Sequence, residues 1–546
     1  MKNFEPKQYK NLLKSIFTEI EEKNYWREDT LQKILKKYPK DGNKLFRHDE
    51  LVAGYEYLEM KDEKISERIR LKPTRTNSGV ATVTVLTKPY RCPGGCIFCP
   101  NDPNMPKSYI SSEPGAQRAL NNCFDPYAQV YNRLVALKNI GHNIEKVELL
   151  VLGGSWSAYP EEYRISFTKA CFDALNDVSP DTKEYIQPKD SLDIATWEDL
   201  AIAHKKNETA YCRNVGLVFE TRPDLISREE VISLRKLGAT KVQIGIQSLD
   251  DSIVKANNIG RSTKSVRNAI KLLRLASFKI HAHWMPNLYK SNVKKDTRDY
   301  KKLWKRDISP DELKIYPTSV VPNTYLAKLY EDGLYDPYTE QELVTVLSNT
   351  MPLTPRYCRL SRIIRDIPSN EIVAGNKKTN LRQIVEGYIL KNGKRLNDIR
   401  SREIKNENVG WENLELEIIK YSTLIGMEYF LSYKTKDTDK ICGFLRLSIP
   451  TKKHRKENFI EEVRDSSLIR EVHVYGKVMS LNVDSSGESQ HLGLGKKLIE
   501  KAEDITKKNN IHFISVISAI GTREYYKKRG FEMGEMYMKK RLEASS

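Results

Sequence analysis

The chain has no apolar run approaching the length of about 18 residues that a membrane-spanning helix needs. Its opening residues, Met1-Lys-Asn-Phe-Glu-Pro-Lys7, carry no apolar stretch of the kind that directs secretion, so a protein outside the membrane is expected. Cysteine is scarce: 8 in 546 residues, most of them standing singly. That excludes a disulfide scaffold and points to the reducing cytoplasm. Internal repeats and low-complexity tails are missing as well, which leaves ordinary folded domains, about three or four for this length. Acidic residues fall short of basic ones: Asp+Glu 72 against Lys+Arg 91 gives a formal net charge of +19 and a sequence pI of about 9.2. A surface so biased attracts a polyanion such as nucleic acid, and the 29 tyrosines offer rings on which bases stack.

What cysteine there is concentrates in Cys92-Pro-Gly-Gly-Cys96-Ile-Phe-Cys99. Thiolates are the soft ligands that iron-sulfur clusters require, and a glycine-containing loop lets three sulfurs face one cube. Three ligands for four irons leave one iron open, where S-adenosylmethionine can chelate. A zinc site would want a fourth Cys or His close by, and a disulfide would leave one thiol over. The next cysteine is Cys123, too far for either.

Residues 1 to about 75 are charged, with Leu12, Leu13, Ile16, Phe17 and Ile20 at helical spacing, and read as a small basic helical domain. From Ala81 short apolar strands alternate with helical stretches: 81–86, 146–152, 215–220, 241–246, 279–285 and 313–316. That alternation means a parallel sheet of about six strands, which suits a partial (β/α) barrel over residues 76–388. Chemistry in such barrels collects where strands end, and the cysteine loop follows the strand 81–86. A Lys/Asn/Arg-rich connector occupies 389–410, and a second α/β unit fills 411–546. In that unit Gln490-His-Leu-Gly493-Leu-Gly495-Lys496 follows a strand expected at 472–481 and opens a helix over 496–507. Glycines there bring backbone amides against a pyrophosphate, whose charge the helix dipole favours.

The downstream run Gly521-Thr-Arg-Glu-Tyr525-Tyr526-Lys-Lys-Arg-Gly530-Phe531 resembles the ending of GNAT-type acetyltransferases, in which a tyrosine meets the thioester of acetyl-CoA. Taken with the cysteine loop, the whole chain resembles the catalytic subunit of Elongator, elongator protein three, in its stand-alone bacterial or archaeal form. The motifs run in order: Lys72-Pro-Thr-Arg-Thr-Asn-Ser-Gly-Val80, Leu86-Thr-Lys-Pro-Tyr-Arg-Cys-Pro93, Ser112-Glu-Pro-Gly-Ala-Gln-Arg-Ala119, Phe124-Asp-Pro-Tyr127 and Leu152-Gly-Gly-Ser-Trp156. They continue through Glu220-Thr-Arg-Pro-Asp224, Leu313-Lys-Ile-Tyr-Pro-Thr318, Arg365-Asp-Ile-Pro368, Ile399-Arg-Ser-Arg-Glu403 and Arg470-Glu-Val-His-Val-Tyr-Gly476. The resemblance implies an α/β protein: a helical tRNA-binding domain, a radical SAM partial barrel and a GNAT-type domain. It also implies carboxymethylation of the tRNA wobble uridine, with a 4Fe-4S cluster, S-adenosylmethionine and acetyl-CoA.

Carried over residue by residue, the resemblance gives Cys92, Cys96 and Cys99 to the cluster and Gly153 and Gly154 to S-adenosylmethionine, with Glu220, Arg222 and Gln247 near it. Acetyl-CoA falls to Lys146, to Glu471, Val472, His473 and Val474, to Leu494, Gly495 and Lys496, and to Tyr526, next to Gln490 and Gly493 of the glycine motif. Tyr526 and Glu471 are the candidate catalytic residues. Relatives carry a zinc-binding cysteine just before Ile399; Asn397 stands there in this chain, so no zinc is expected. Cys123, Cys171 and Cys212 are expected to be buried thiols. A rival reading is a protein lysine acetyltransferase with a structural iron-sulfur domain, in which Glu471 would serve as base. Three cysteines argue against it, because a structural cluster recruits four. A homodimer and accessory subunits stay open.

Overall fold

The computed structural model describes residues 4–27, 29–72, 79–405, 409–475 and 493–543. Helices lead the chain. Lys10–Glu22 turns Leu13, Ile16, Phe17 and Ile20 to one side, as their spacing requires, and they pack with Ile34, Leu51 and Ile65 of the next three helices into a core of their own. Arg70 reaches back from this unit to the Gly141 carbonyl at 2.8 Å, and Lys183 pairs with Glu56 at 3.0 Å.

Next comes a parallel sheet of seven strands among the described residues, paired in chain order: β1 (Ala81–Leu86), β2 (Lys146–Leu152), β3 (Arg213–Thr221), β4 (Lys241–Gln247), β5 (Lys279–Trp284), β6 (Glu312–Ile315) and β7 (Arg359–Arg362). Helices connect successive strands, and the sheet closes only part of a barrel. Six strands were legible in the sequence. β7 was not, because Arg-Leu-Ser-Arg is short and charged; tertiary pairing with β6 makes it a strand. One expected buried thiol is exposed: Cys123 sits in the turn after helix Pro114–Asn121, with φ 49°. Cys171 and Cys212 are buried.

Seven further strands form the second sheet: β8 (Leu414–Ser422), β9 (Gly426–Thr435), β10 (Ile441–Pro450), β11 (Ser466–Val474), β12 (Phe513–Val516), β13 (Glu532–Met533) and β14 (Met538–Arg541), in the order β13-β14-β12-β11-β10-β9-β8. Only β11 and β12 pair in parallel. Helix Leu494–Lys508 packs on this sheet through Leu498, Ile499 and Ala502.

The two sheets share one apolar core, in which barrel residues such as Phe219 and Phe278 join Phe430, Phe444, Ile520 and Tyr537. Charge crosses the same seam. Asp311, at the foot of β6, accepts from Arg470 and lies 3.5 Å from Arg446, and Arg235 donates to the carbonyls of Ser518 and Met536 at 2.8 and 2.7 Å. Both units are therefore held as one body.

Candidate active site

The cysteine loop leaves the carboxyl end of β1, and its glycines are there for close approach. A Cβ on Gly94 would stand 1.9 Å from Arg222 Nη1, and one on Gly95 2.8 Å from Asn258 Nδ2. Ile97 donates to the Asn257 carbonyl at 3.2 Å, and Cys99 to the Cys96 carbonyl at 3.1 Å, which fixes the loop's turn. Burial pushes the Cys99 thiol up to about 12, with Cys96 adding to the rise, and Lys107 and Arg365 opposing it. Cys96 is raised by burial too, against the pull of Arg222.

Among the described residues no three Cys, His, Asp or Glu side chains converge closely enough to hold one ion. A cubane makes a different demand, that each thiolate meet its own iron. Three thiols on one loop, with Arg222, Arg261, Lys107 and Arg365 close enough to favour anionic sulfur, suit that demand.

Neighbouring strands end around the same mouth. Gly153 and Gly154, just past β2, have φ of 129° and 74°, and a Cβ on Gly153 would lie 2.1 Å from Thr87 Oγ1, so only glycine fits. Glu220 on β3 accepts from the Tyr109 hydroxyl at 3.3 Å, with His283 Nδ1 at 3.7 Å. Burial raises its pKa, and Lys314 and Arg365 hold the rise in check. Gln247, closing β4 with φ 49°, accepts from Arg261 at 2.9 Å. Cys92, Cys96, Cys99, Gly153, Gly154, Glu220 and Gln247 are thus brought to one end of the barrel.

The other group collects at the opposite end. The β11–β12 ladder stops at Ile469 and Val516, while β11 continues to Val474, so the two parallel strands part. Beside that gap lies a cavity of about 1230 Å³, bordered by Glu471, Val472, His473, Tyr475 and Tyr526 on one side. Its other wall is the underside of the barrel, with Lys241, Lys279, Glu312 and Arg359. Tyr526 also packs edge-on against Phe531.

Lys146 is the half-buried first residue of β2, in register with Arg213. Arg213 in turn lies so close under the turn Ile520–Thr522 that a Cβ on Gly521 would stand 2.5 Å from Arg213 Cβ. Lys146 is therefore at the seam, and burial lowers its pKa.

Gly493, with φ 63°, caps the helix of Leu494, Gly495 and Lys496. A Cβ on Gly495 would lie 2.5 Å from the Tyr525 hydroxyl, so Tyr525, not Tyr526, abuts this helix start. Lys496 is largely exposed, 3.8 Å from Glu500. Gln490 lies outside the described residues.

Glu471, a candidate catalytic residue, is held between two cations. It accepts from Lys279 on one carboxylate oxygen and, at 2.8 Å, from Arg446 on the other; those cations hold its pKa below the usual range despite burial, and with both oxygens taken neither is left to accept a substrate proton. Sequence reasoning also missed its partners. Yet Lys146, Arg213, Lys241, Lys279, Glu312 and Arg359 are each the first residue of successive strands β2 to β7. A charge recurs at these strand starts, but with β7 not legible and β3 and β6 expected to begin at 215 and 313, the pattern emerges only once the strands are placed.

A parallel half-barrel with a CxxxCxxC loop at its mouth, carrying a second sheet whose central strands part, defines the class: a radical SAM barrel joined to an acetyltransferase-type unit. Residues 310–391 match the Radical_SAM C-terminal domain family. The chain is 38% identical over 504 residues to a tRNA uridine(34) acetyltransferase of Methanocaldococcus jannaschii, covering 89% of each. It is 34% identical over 492 residues to Elongator complex protein 3 of Saccharomyces cerevisiae, covering 87% of this chain and 85% of that one. The archaeal Elp3 of Methanocaldococcus infernus, solved with an N-terminal deletion, superposes with a TM-score of 0.70 at 34% identity, over 85% of this chain and 99% of that one. The chain belongs to the elongator protein three family.

Proposed function

We propose that this protein modifies the wobble uridine of tRNA, using S-adenosylmethionine and acetyl-CoA to install a carboxymethyl group. The observation that carries the reading is the pairing, across two sheets that share one core, of a three-cysteine mouth with a cavity at parted parallel strands. Relatives named tRNA uridine(34) acetyltransferase support the choice of substrate, as does the net charge of +19.

A four-iron cluster on Cys92, Cys96 and Cys99 would supply the electron that splits S-adenosylmethionine into a carbon radical. The backbone of Gly153-Gly154 would bind that molecule's amino group, with Glu220 and Gln247 lining the same mouth. At the far end the free backbone edge of Val472 and Val474 would hold the pantetheine arm, and the Tyr526 hydroxyl would orient the thioester. Lys146 and the start of the helix from Leu494 would meet the phosphates. Glu471 would brace the cavity wall through Lys279 and Arg446. The two half-sites stand a strand length apart, roughly 20 Å at about 3.3 Å per residue, so the acyl unit must travel between them.

The rival lysine acetyltransferase reading needs a base on β11. Glu471, tied to two cations, is poorly suited to that task. Helices 4–69 and the barrel rim would receive the anticodon arm, in the cytoplasm. Among the described residues no helix is long and apolar enough to cross a membrane.

Mass spectrometry of wobble nucleosides, after tRNA is incubated anaerobically with the reduced protein and both small molecules, tests the reading. Carboxymethyluridine is expected; unmodified uridine from protein with a full cluster would overturn it. Tyr526→Phe provides a narrower check. Loss of one positioned donor should lower acetyl-CoA turnover roughly tenfold or more while the melting temperature and tRNA affinity hold. A variant that melts earlier yet turns over at the parent rate would make Tyr526 a packing residue only.

A further inference from the structure

Side chains two apart on a strand share a face, so Glu471 and His473 both turn from β11 toward the cavity, whose lining includes each. Their surroundings differ. Glu471 is saturated by Lys279 and Arg446, whereas His473 is packed between the rings of Phe444 and Tyr475, at centroid distances of 5.6 and 4.4 Å, and its Nε2 makes no hydrogen bond. A buried nitrogen left without a partner costs about 1–3 kcal/mol unless water or a ligand satisfies it. Beside a cavity that parted strands open for a thioester, an imidazole nitrogen without a partner is a seat for water.

We propose that His473 is the general base that activates water for cleavage of the acetyl-CoA thioester. The inference rests on the reading that acetyl-CoA occupies this cavity. His473 removes a proton from water as the oxygen bonds to the carbonyl carbon. The C–S bond then breaks, and the departing thiolate takes the proton back from the imidazolium. Water and acetyl-CoA become acetic acid and CoA, with no change of oxidation state. Four charged groups face the ring: Glu471 on the same strand, Lys279 on β5, Arg359 on β7 and Glu403 beyond helix Ile399–Arg402. The two carboxylates stabilise the transient imidazolium. Burial prevails at rest, lowering the ring's pKa to about 4 and keeping it a neutral acceptor through the physiological range.

The test uses the full chain with its cluster. Acetyl-CoA hydrolysis is followed by thiol release, binding of a non-hydrolysable thioether analogue by calorimetry, and ring protonation by NMR on histidine-labelled protein. His473→Gln is expected to lose roughly a hundredfold in hydrolysis, with analogue affinity kept within about twofold. Added imidazole should restore part of the rate of His473→Ala, which no packing role would allow. The resonance missing from the variant should stay neutral in the parent down to about pH 5. Hydrolysis at the parent rate in His473→Gln, or a ring protonated at pH 7, overturns the assignment. A parent protein that neither binds the analogue nor releases thiol instead overturns the acetyl-CoA reading, and this inference with it.

Discussion

Cys96→Ala is expected to abolish both the iron content of one four-iron cluster and all cleavage of S-adenosylmethionine. The loss should be complete because the loop has no spare ligand: Cys92 and Cys99 would be left to hold the cube by two corners, and Cys123 is exposed in a separate turn. The variant should nonetheless fold, since Cys96 contributes little to the cores and the loop's turn is made by backbone bonds such as Ile97 to Asn257. Anaerobic reconstitution followed by iron and sulfide assay, with deoxyadenosine measured by chromatography, reads both outcomes. Unchanged iron in a variant that melts like the parent would remove the cysteine loop from its proposed role. Acetyl-CoA hydrolysis should persist in the same variant, because the cavity lies at the opposite strand ends.

How legible this was depended on the range of each signal. The cysteine loop and the Gly153-Gly154 pair are local chemistry, complete within a few residues, and the structure puts both at the mouth where strand-end reasoning expects them. Strands β1 to β6 could be read because their apolar residues run together; β7 could not, since its identity comes from β6 beside it. Helix Leu494–Lys508 begins two residues before the expected start, directly after Gly493, which takes the left-handed conformation at its N-cap. The cavity was beyond sequence reasoning altogether. It exists because β11 outruns its pairing with β12 and because charged strand starts from another sheet form its opposite wall. Glu471 shows the cost: its partners Lys279 and Arg446, far away in the chain, are brought to it only by the fold.

The seam that makes the cavity gives the second large effect. Asp311 is fully buried, accepts from Arg470 Nη1 at 3.0 Å and from the Ile280 amide at 2.9 Å, and lies 3.5 Å from Arg446. Arg470, Arg446 and Arg274 hold its carboxyl far below the usual carboxylate range. Asp311→Ala leaves Arg446 and Arg470 buried with Glu471 and Glu428 as their remaining carboxylate partners, and breaking a buried ionic cluster from one side costs about 3–5 kcal/mol. Urea unfolding at pH 7 should show that loss, and affinity for an acetyl-CoA analogue should fall with it, since both cavity walls hang on the seam. The sign with pH follows from the depressed value. The contribution of Asp311 is complete above the unfolded carboxyl pKa of about 4 and declines as pH falls below it, because the unfolded parent then takes up a proton that the folded parent refuses. The stability gap between parent and variant should therefore be wide at pH 7 and narrower near pH 3. A gap that stays constant across that range would mean that Asp311 acts through packing alone, and that the arginines crossing the seam find sufficient partners without it.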